Sequence, residues 1–316
     1  MMHSKFLAMV ALAALTATSA QAQEKVAISD LTWTGAKAIG FVIKAVIEGP
    51  LKSEAEIVSG LSDGSLVAAG MDKGDGSADV YTDLWMPNRQ GIWDSYIDGA
   101  KTVAHNEPYP GTQRMYVPSY LADKVKSIED LRDPNIAALF DKDGNGKGEY
   151  WAGDAGWAST KMWQVKFKSY GLSEFWEAEV VPDATFKSQL KSAIANEKPI
   201  LFYYWTPEWI HAAYELSALS EPERTDGCEA MALDKEDWLE ASKFACVSSD
   251  ALIYVAYSKS LEQRNPPVAR FLSQMRLDPA TVNEWILLID RDGKNPADVA
   301  EDWVAANAET VNAWIK

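Results

Sequence analysis

The chain is 316 residues long, 47% of them hydrophobic, and carries a formal net charge of −16 at pH 7. This acidic balance argues against nucleic acids and anionic membrane surfaces as partners, because both repel a negatively charged protein. The length is sufficient for two domains of ordinary size.

Residues 1–22 have the pattern of a secretory signal peptide. Lys5 supplies a short positive region, residues 6–16 an apolar region, and Ala20 to Ala22 a cleavage site of small residues. No later apolar run approaches the roughly 18 residues that a membrane-spanning helix needs. We therefore expect cleavage after about Ala22 and a periplasmic location if the source is Gram-negative.

The first part of the mature chain alternates strand-like and helix-like patterns. In chain order these predict strand, helix, strand, helix and strand over 24–30, 36–48, 55–58, 63–71 and 78–83. This order is typical of a parallel sheet, which binds ligands at the carboxyl ends of its strands. Trp33 and Trp85 would both lie at that edge.

Tryptophan residues follow several predicted strands. The run from Leu201 to Trp205 is apolar and aromatic and is ended by a proline two residues later. Such a run predicts a buried strand that delivers its last side chain to a loop. Trp33, Trp85 and Trp157 stand at similar strand ends. We expect these three residues and Trp205 to converge on one cationic ligand.

An acidic, glycine-rich stretch matches the first part of an EF-hand calcium loop. Gly146 takes the sixth position, and positions 1, 3, 5, 7 and 9 fall on Asp141, Asp143, Asn145, Lys147 and Glu149. The twelfth position, which needs a bidentate Glu, is Ala152, so Asp154 or another carboxylate would have to complete the shell. We expect a structural calcium ion; the alternative is an acidic surface turn.

The remaining patterns predict a second α/β unit and a helical C-terminus. Strands are expected at 179–181 and 251–257, and helices at 158–170, 187–196, 266–275, 279–289 and 296–314. Strands near Tyr116 and Tyr254 could cross between the two units as a two-strand hinge. We expect one lobe from residues 23–115 and 254–316, another from 116–253, and a ligand in the cleft between them.

The chain contains two cysteines, Cys228 and Cys246. In an oxidising compartment they are expected to form a disulfide, and closing a loop of about 18 residues would stabilise the fold by roughly 3 kcal/mol. The alternative is a pair of buried free thiols.

Seven short segments, spread over almost the whole mature chain, occur in a specific order and spacing. They are Trp33-Thr34, Asp79 to Asn88, Tyr116 to Tyr120, Ile128 to Leu131, Gly156-Trp157, Tyr204 to Trp209 and Asn265 to Phe271. Together they resemble the substrate-binding proteins of glycine betaine/proline betaine-type ABC transporters. The resemblance implies a two-lobed, type II-like periplasmic-binding-protein fold and a monomer that delivers its ligand to a permease in the inner membrane.

The resemblance also implies an aromatic box around a quaternary ammonium group. Trp faces suit a trimethylammonium head, which cannot donate N–H hydrogen bonds, and each cation–π contact is worth up to about 2 kcal/mol when desolvated. We assign the box to Trp33, Trp85, Trp157 and Trp205. Further candidates, which could instead be packing residues, are Trp209, Trp151 and Tyr116.

Residues near the expected box bear on the choice of ligand. Glu208 follows the last Trp, where members that bind glycine betaine commonly offer His or another donor, and its carboxylate would repel the betaine carboxylate. Choline binders tend to place Asp after the first Trp, where this chain has Gly35. Trimethylamine N-oxide needs one donor, which protonated Glu149 or Glu208 could supply, and members that bind it also pair the box with a calcium loop. We therefore favour trimethylamine N-oxide over glycine betaine and choline.

The main rival function is sugar binding or glycoside hydrolysis, because Trp faces also stack on sugars. A glycosidase would need two carboxylates about 5 to 10 Å apart across a cleft. The sequence has no nucleophile elbow, Walker loop, zinc-ligand spacing or Ser/His/Asp arrangement. We expect a binding protein rather than an enzyme.

Overall fold

The computed structural model describes residues 25–233 and 235–316. The predicted signal peptide lies outside the described residues. The strands of the described part of the chain are β1 (Val26–Ser29), β2 (Ala55–Val58), β3 (Val80–Met86), β4 (Val103–His105), β5 (Tyr109–Pro118), β6 (Gly148–Gly153), β7 (Trp176–Val180), β8 (Leu201–Thr206), β9 (Leu216–Ala218), β10 (Glu229–Ala230), β11 (Lys243–Phe244) and β12 (Ala251–Ser258).

The helices between the strands are mostly short. They are α1 (Thr34–Glu48), α2 (Gly64–Lys73), α3 (Gln90–Ile92), α4 (Pro134–Leu139), α5 (Ala158–Ser169), α6 (Asp183–Ala195), α7 (Ile210–Ala213), α8 (Trp238–Ala241), α9 (Leu261–Arg264), α10 (Pro266–Gln274), α11 (Pro279–Ile286), α12 (Pro296–Ala306) and α13 (Ala308–Ile315). Two π-helical segments, Trp93–Gly99 and Leu287–Arg291, and two 3-10 segments, Ser119–Leu121 and Glu129–Arg132, complete the helical structure. Within the described ranges, no helix combines the length and hydropathy needed to cross a bilayer.

The larger strands form one continuous mixed sheet, in the order β2-β1-β3-β12-β5-β8-β6-β7. β1 runs parallel to both β2 and β3, which confirms the βαβαβ order expected for the first part of the chain. β6 likewise runs parallel to β7 and β8 in the second part. Trp33 and Trp85 therefore do lie near the carboxyl ends of their strands.

Strand β5 connects the two lobes of this α/β fold. Its first residues, Tyr109 to Gly111, pair with β12, whereas Thr112 to Tyr116 pair with β8. The crossing point therefore lies before Tyr116, and the chain returns through residues 247–250 to β12, which pairs only with strands of the first lobe.

Buried side chains are distributed between the lobes in separate clusters. One large cluster draws on residues between Met115 and Cys246. Two others draw on residues between Val26 and Tyr109 and on residues from Ile253 onward. The lobe boundaries at 115/116 and 253/254 stay a prediction.

Local sequence explains where the helices of the first lobe begin. Asp63, Asp278 and Asn295 accept backbone N–H bonds at the starts of α2, α11 and α12, as side chains at such positions commonly do. Proline follows these capping residues in the first turn of α11 and α12. It is suited to the start of a helix, because a backbone N–H would have no helical partner there.

Several predicted boundaries were wrong. The third strand, expected over 78–83 and ending at Trp85, spans Val80–Met86, so Trp85 lies inside β3. The strand expected at 179–181 and the helix expected at 187–196 begin earlier, at Trp176 and Asp183. The single helix expected over 296–314 is two helices, because Asn307 leaves the helical conformation between them; Asn competes poorly as a helix former. The helix expected over 279–289 is α-helical only to Ile286 and then becomes π-helical.

Candidate functional site

Four tryptophans surround one cavity between the lobes, which we call the Trp box: Trp33, Trp85, Trp157 and Trp205. The cavity measures about 50 Å³, and its other lining residues are Tyr81, Asp83, Asn88, Arg89, Ala158, Ser159 and Tyr203. Trp33 and Trp157 immediately precede α1 and α5, whereas Trp85 and Trp205 lie near the ends of β3 and β8. The structure therefore brings together the four residues assigned to the box.

The indole rings meet edge to face, so they enclose space instead of stacking. The ring centroids of Trp33 and Trp157 are 5.8 Å apart at an interplanar angle of 80°. Those of Trp157 and Trp205 are 5.1 Å apart at 82°. This arrangement suits a rounded group, which contacts several faces at once.

A buried carboxylate holds two of the rings. Asp83, which is 2% exposed, accepts hydrogen bonds on Oδ2 from Nε1 of Trp33 at 2.5 Å and from Nε1 of Trp85 at 3.0 Å. Its Oδ1 accepts a third bond from the Tyr109 hydroxyl at 2.8 Å. Burial raises the pKa of Asp83, and the three donors oppose this shift.

The second lobe supplies the remaining two rings and contacts the first across the cleft. Trp157 donates from Nε1 to Thr32 Oγ1 of the first lobe at 2.8 Å. The Trp205 ring stacks on Tyr204 with centroids 4.3 Å apart, which fixes its orientation from behind. Arg89 of the first lobe donates to the Gly156 carbonyl at 3.3 Å.

Polar groups line the rest of the cavity. The amides of Asn88 and Gln113 exchange hydrogen bonds of 2.8 and 3.1 Å, and Tyr203 donates from its hydroxyl to Gln113 Oε1 at 3.0 Å. The Arg89 guanidinium and the Ser159 hydroxyl lie on the same lining. They could contact the polar end of a ligand whose apolar end fills the box.

Sequence reasoning did not select Asp83, Asn88 or Arg89. The spacing of Asp83 and Trp85 was an available indication, because residues two apart on a strand face the same side. The contact of Asp83 with Trp33 and Tyr109 could not be read from spacing, since it joins three separate elements.

Glu208 and Trp209 do not line the cavity but belong to a buried ionic cluster beside it. Lys187 Nζ lies 2.8 Å from Asp183 Oδ2 and 3.6 Å from Glu208 Oε1, and it also pairs with Asp290 of the other lobe. Trp209 donates from Nε1 to Asp290 Oδ2 at 3.2 Å. These five residues therefore connect the two lobes.

The protonation of this cluster is strongly perturbed. Burial raises the pKa of Glu208 to about 8; Lys187 lowers it, and the nearby carboxylates of Asp183 and Asp290 raise it further. Burial alone would lower the pKa of Lys187, but Glu208, Asp183 and Asp290 together raise it. Among the described residues, Glu208 Oε1 has no hydrogen-bond partner.

Trp151, Tyr116 and Glu149 also lie outside the lining. The Trp151 ring stacks on Phe186 with centroids 3.9 Å apart and is 1% exposed. Tyr116 packs against His211 at 5.0 Å. Glu149 faces the acidic loop, as described below.

Residues 24–306 match the family described as the substrate binding domain of ABC-type glycine betaine transport systems. The chain belongs to this family. This is a family of substrate-binding domains and not of enzymes, which argues against the glycosidase alternative.

Individual members of the substrate-binding family are only distantly similar in sequence. The glycine betaine/proline betaine-binding periplasmic protein of Salmonella typhimurium is 24% identical over 211 residues, which cover 62% of this chain and 63% of the relative. The glycine betaine/carnitine transport binding protein GbuC of Listeria monocytogenes is 24% identical over 162 residues, covering 51% and 47%. The alignments thus span at most about three fifths of these relatives.

Solved structures of related proteins share the two-lobed fold. The glycine betaine, L-proline-binding protein ProX of Borrelia burgdorferi has a TM-score of 0.73 at 19% identity, covering 93% of this chain and 97% of its own. An ABC-transporter choline binding protein in complex with choline has a TM-score of 0.70 at 19% identity, covering 92% and 91%. At such identities the comparison confirms the fold alone.

The acidic loop gathers three carboxylates that could hold a metal ion. Carboxylate oxygens of Asp141, Asp143 and Glu149 all lie within 4.8 Å of one another. Asp141 folds the turn by accepting from the backbone N–H groups of Gly144 at 2.7 Å and Gly146 at 2.9 Å. The donor set is therefore all oxygen, as calcium prefers.

The twelfth loop position remains without a carboxylate, because Ala152 is buried within β6. A neighbouring strand brings another one close. Glu177 of β7 accepts a hydrogen bond on Oε1 from Nδ2 of Asn145 at 2.8 Å. Glu177 therefore lies beside the loop, whereas Asp154 borders the cleft, but the clustered carboxylates are those of Asp141, Asp143 and Glu149.

The predicted disulfide is present. Cys228 and Cys246 are bonded, with Cα atoms 5.9 Å apart. The bond joins the two ends of the segment that carries the β10–β11 hairpin.

Proposed function

We propose that this protein is the solute-binding component of an ABC importer and that it captures a small trimethylammonium compound in the Trp box. The observation that carries the proposal is the convergence of four indole rings, two from each lobe, on one cavity with a carboxylate in its wall. Indole faces attract cations most strongly where water is excluded. A trimethylammonium head fits because it has no N–H group to leave without a partner.

The size of the cavity favours the smallest such compound, trimethylamine N-oxide. One water needs roughly 10–15 Å³ of such space, so a cavity of about 50 Å³ suits a compact ligand. The amide of Asn88 and the hydroxyl of Ser159 are neutral lining groups that could donate to the N–O oxygen. Glu149 and Glu208, which we expected to donate, lie elsewhere and have no part in this proposal.

Glycine betaine is the second candidate, and Arg89 is the observation that favours it. A guanidinium on the cavity lining could pair with the carboxylate of a betaine, since such charge-assisted bonds are strong and directional. The repulsion expected from Glu208 does not apply, because Glu208 faces Lys187.

The proposed setting is the periplasm, where the protein would act as a monomer and pass its ligand to a permease in the inner membrane. The family of the chain supports this, as do the periplasmic relatives that it resembles. The leader pattern of residues 1–22 is consistent with export.

A calorimetric titration of the mature protein tests the ligand. Trimethylamine N-oxide, glycine betaine and choline would be added side by side under the same conditions. Tight binding of trimethylamine N-oxide alone supports the first candidate, and tight binding of glycine betaine supports the second. If none of the three binds, the proposal of a trimethylammonium ligand fails, and quenching of Trp fluorescence by neutral sugars becomes the next test.

We also propose that the acidic loop holds a structural calcium ion. Asp141, Asp143, Asn145 and Glu149 would bind it through side chains and Lys147 through its backbone carbonyl, with Glu177 able to complete the shell. Bound there, the ion would neutralise three clustered carboxylates and brace the loop before β6. It lies outside the Trp box and would take no direct part in ligand binding.

A further inference from the structure

Asp83 occupies an unusual position in the wall of the Trp box. A single oxygen, Oδ2, accepts the indole N–H bonds of both Trp33 and Trp85, although these residues come from different elements. The two rings are therefore fixed relative to each other by one carboxylate. Any displacement of that carboxylate would move two walls of the box together.

A carboxylate satisfies every hydrogen bond that Asp83 makes, and these bonds oppose the rise in its pKa that burial causes. Indole N–H groups can only donate, so Oδ2, which accepts two of them, cannot also donate a proton to them. The third contact, from the Tyr109 hydroxyl to Oδ1, occupies the other oxygen. The start of α1 also passes close by, since a Cβ atom at Gly35 would lie 3.9 Å from Oδ2. The positive end of that helix favours a negative charge.

No lysine or arginine within residues 25–233 and 235–316 forms an ion pair with Asp83. Its three hydrogen-bond donors are neutral groups. Arg89 lies on the same cavity lining, but its guanidinium donates to the Gly156 carbonyl. A buried charge without a counterion is costly. Asp83 lines the cavity, so its charge would lie beside the ammonium group of a bound ligand.

We propose that Asp83 is the specificity-determining residue of the Trp box: it orients Trp33 and Trp85 and acts as the counter-charge that separates a trimethylammonium group from a neutral group of the same shape. This inference rests on the proposed function and deepens it. The aromatic faces would still accept a tert-butyl group, because it has the same rounded shape, although they attract the cation more strongly through cation–π contacts. The carboxylate gives the cation an attraction that the neutral group lacks.

Matched pairs of compounds test this directly. Each trimethylammonium compound has a carbon isostere: tert-butanol for trimethylamine N-oxide, 3,3-dimethylbutanoate for glycine betaine and 3,3-dimethylbutan-1-ol for choline. Dissociation constants would be measured by calorimetry or competition for all three pairs. For whichever nitrogen compound binds the wild type most tightly, we expect at least about a thirtyfold preference over its isostere.

Two variants distinguish the effect of the Asp83 charge from the effect of the hydrogen bonds that Asp83 accepts. Asp83→Asn retains one oxygen acceptor but removes the charge. It should raise the dissociation constant of the nitrogen compound about thirtyfold and change that of the isostere less than about threefold. Tyr109→Phe removes a neutral donor and keeps the charge, so the preference should stay within about threefold of the wild type. Near-ultraviolet circular dichroism reports whether the indole environment is preserved in each variant.

The outcomes are distinguishable. Equal weakening of both compounds in Asp83→Asn would assign Asp83 a purely structural role and overturn the inference, while leaving the proposed function intact. If the wild type bound the isostere as tightly as the nitrogen compound, the inference about Asp83 would be overturned even if the variant did not fold. Failure of the wild type to bind any nitrogen compound would overturn the proposed function and this inference with it.

Discussion

Lys187 and Asp290 form an ion pair across the cleft between the two lobes. Lys187 lies in α6, whereas Asp290 lies in the π-helical segment that follows α11. Asp290 also accepts hydrogen bonds from Thr34 Oγ1 at 2.7 Å and from Trp209 Nε1 at 3.2 Å. One carboxylate of the first lobe thus holds two side chains of the second.

Replacing this carboxylate should weaken ligand binding without touching the Trp box. In Asp290→Asn the ion pair is lost, so the form with the lobes in contact becomes less favourable and the affinity should fall roughly tenfold. Calorimetric titration measures the effect. Asp292→Asn is the matched control, because Asp292 is exposed and pairs with its neighbour Arg291; if both variants bind like the wild type, the ion pair does not contribute to closure.

Truncating the box itself should have a larger effect on affinity than on folding. Trp85→Ala and Trp205→Ala should each weaken binding at least about tenfold, since each removes one cation–π face of up to about 2 kcal/mol. Trp238→Ala serves as the control, because Trp238 contacts Lys161 and does not line the cavity. Unchanged affinity in either box variant, with the circular dichroism spectrum preserved, would remove that residue from the box.

The sequence was sufficient to predict that these four tryptophans lie together, because each stands where a strand or loop meets the cleft; their binding of a ligand stays a prediction. It was not sufficient for Glu208, whose surroundings depend on Lys187 in α6 and on Asp290 from the other lobe. Nor could it predict Asp83, because Trp33 is 50 residues away in sequence. Local patterns fix strands, helices and their ends; contacts between elements depend on how the lobes pack.

The buried Glu208 should make stability depend on pH. Its pKa of about 8 lies above the ordinary value of 4.5, so the folded protein retains a proton that the unfolded chain releases between these values. The contribution of Glu208 to the free energy of unfolding should therefore be fully present below the ordinary pKa and fall as the pH rises towards 8, with a slope of up to about 1.4 kcal/mol per pH unit for one proton.

Glu208→Gln isolates this contribution, because glutamine cannot ionise. Urea titrations at several values from pH 5 to pH 9 should show a shallower decline for the variant than for the wild type. Asp183 and Asp83 also have raised pKa values and remain in both proteins, so the difference between the two curves reports Glu208 together with its charge interactions with Asp183, Lys187 and Asp290. Parallel curves would mean that Glu208 titrates as it does in the unfolded chain.

The acidic loop should bind calcium and gain stability from it. Adding millimolar calcium to protein treated with a chelator should raise the melting temperature, because an ion that binds only the folded state stabilises it. Asp141→Asn should abolish most of this increase. Asp123→Asn is the control, since Asp123 is exposed and outside the loop; an equal response from wild type and Asp141→Asn would favour an acidic surface turn.

Each lobe carries only half of the Trp box, and Trp157 reaches across the cleft to Thr32. When the lobes separate, Trp33 and Trp85 leave with one and Trp157 and Trp205 with the other, so neither half can surround a cation. The time that a ligand stays bound then depends on how often the lobes part, and both the contacts between the lobes and the indole contacts to the ligand oppose that separation. Substitutions at the lobe contacts should therefore change the dissociation rate far more than the association rate.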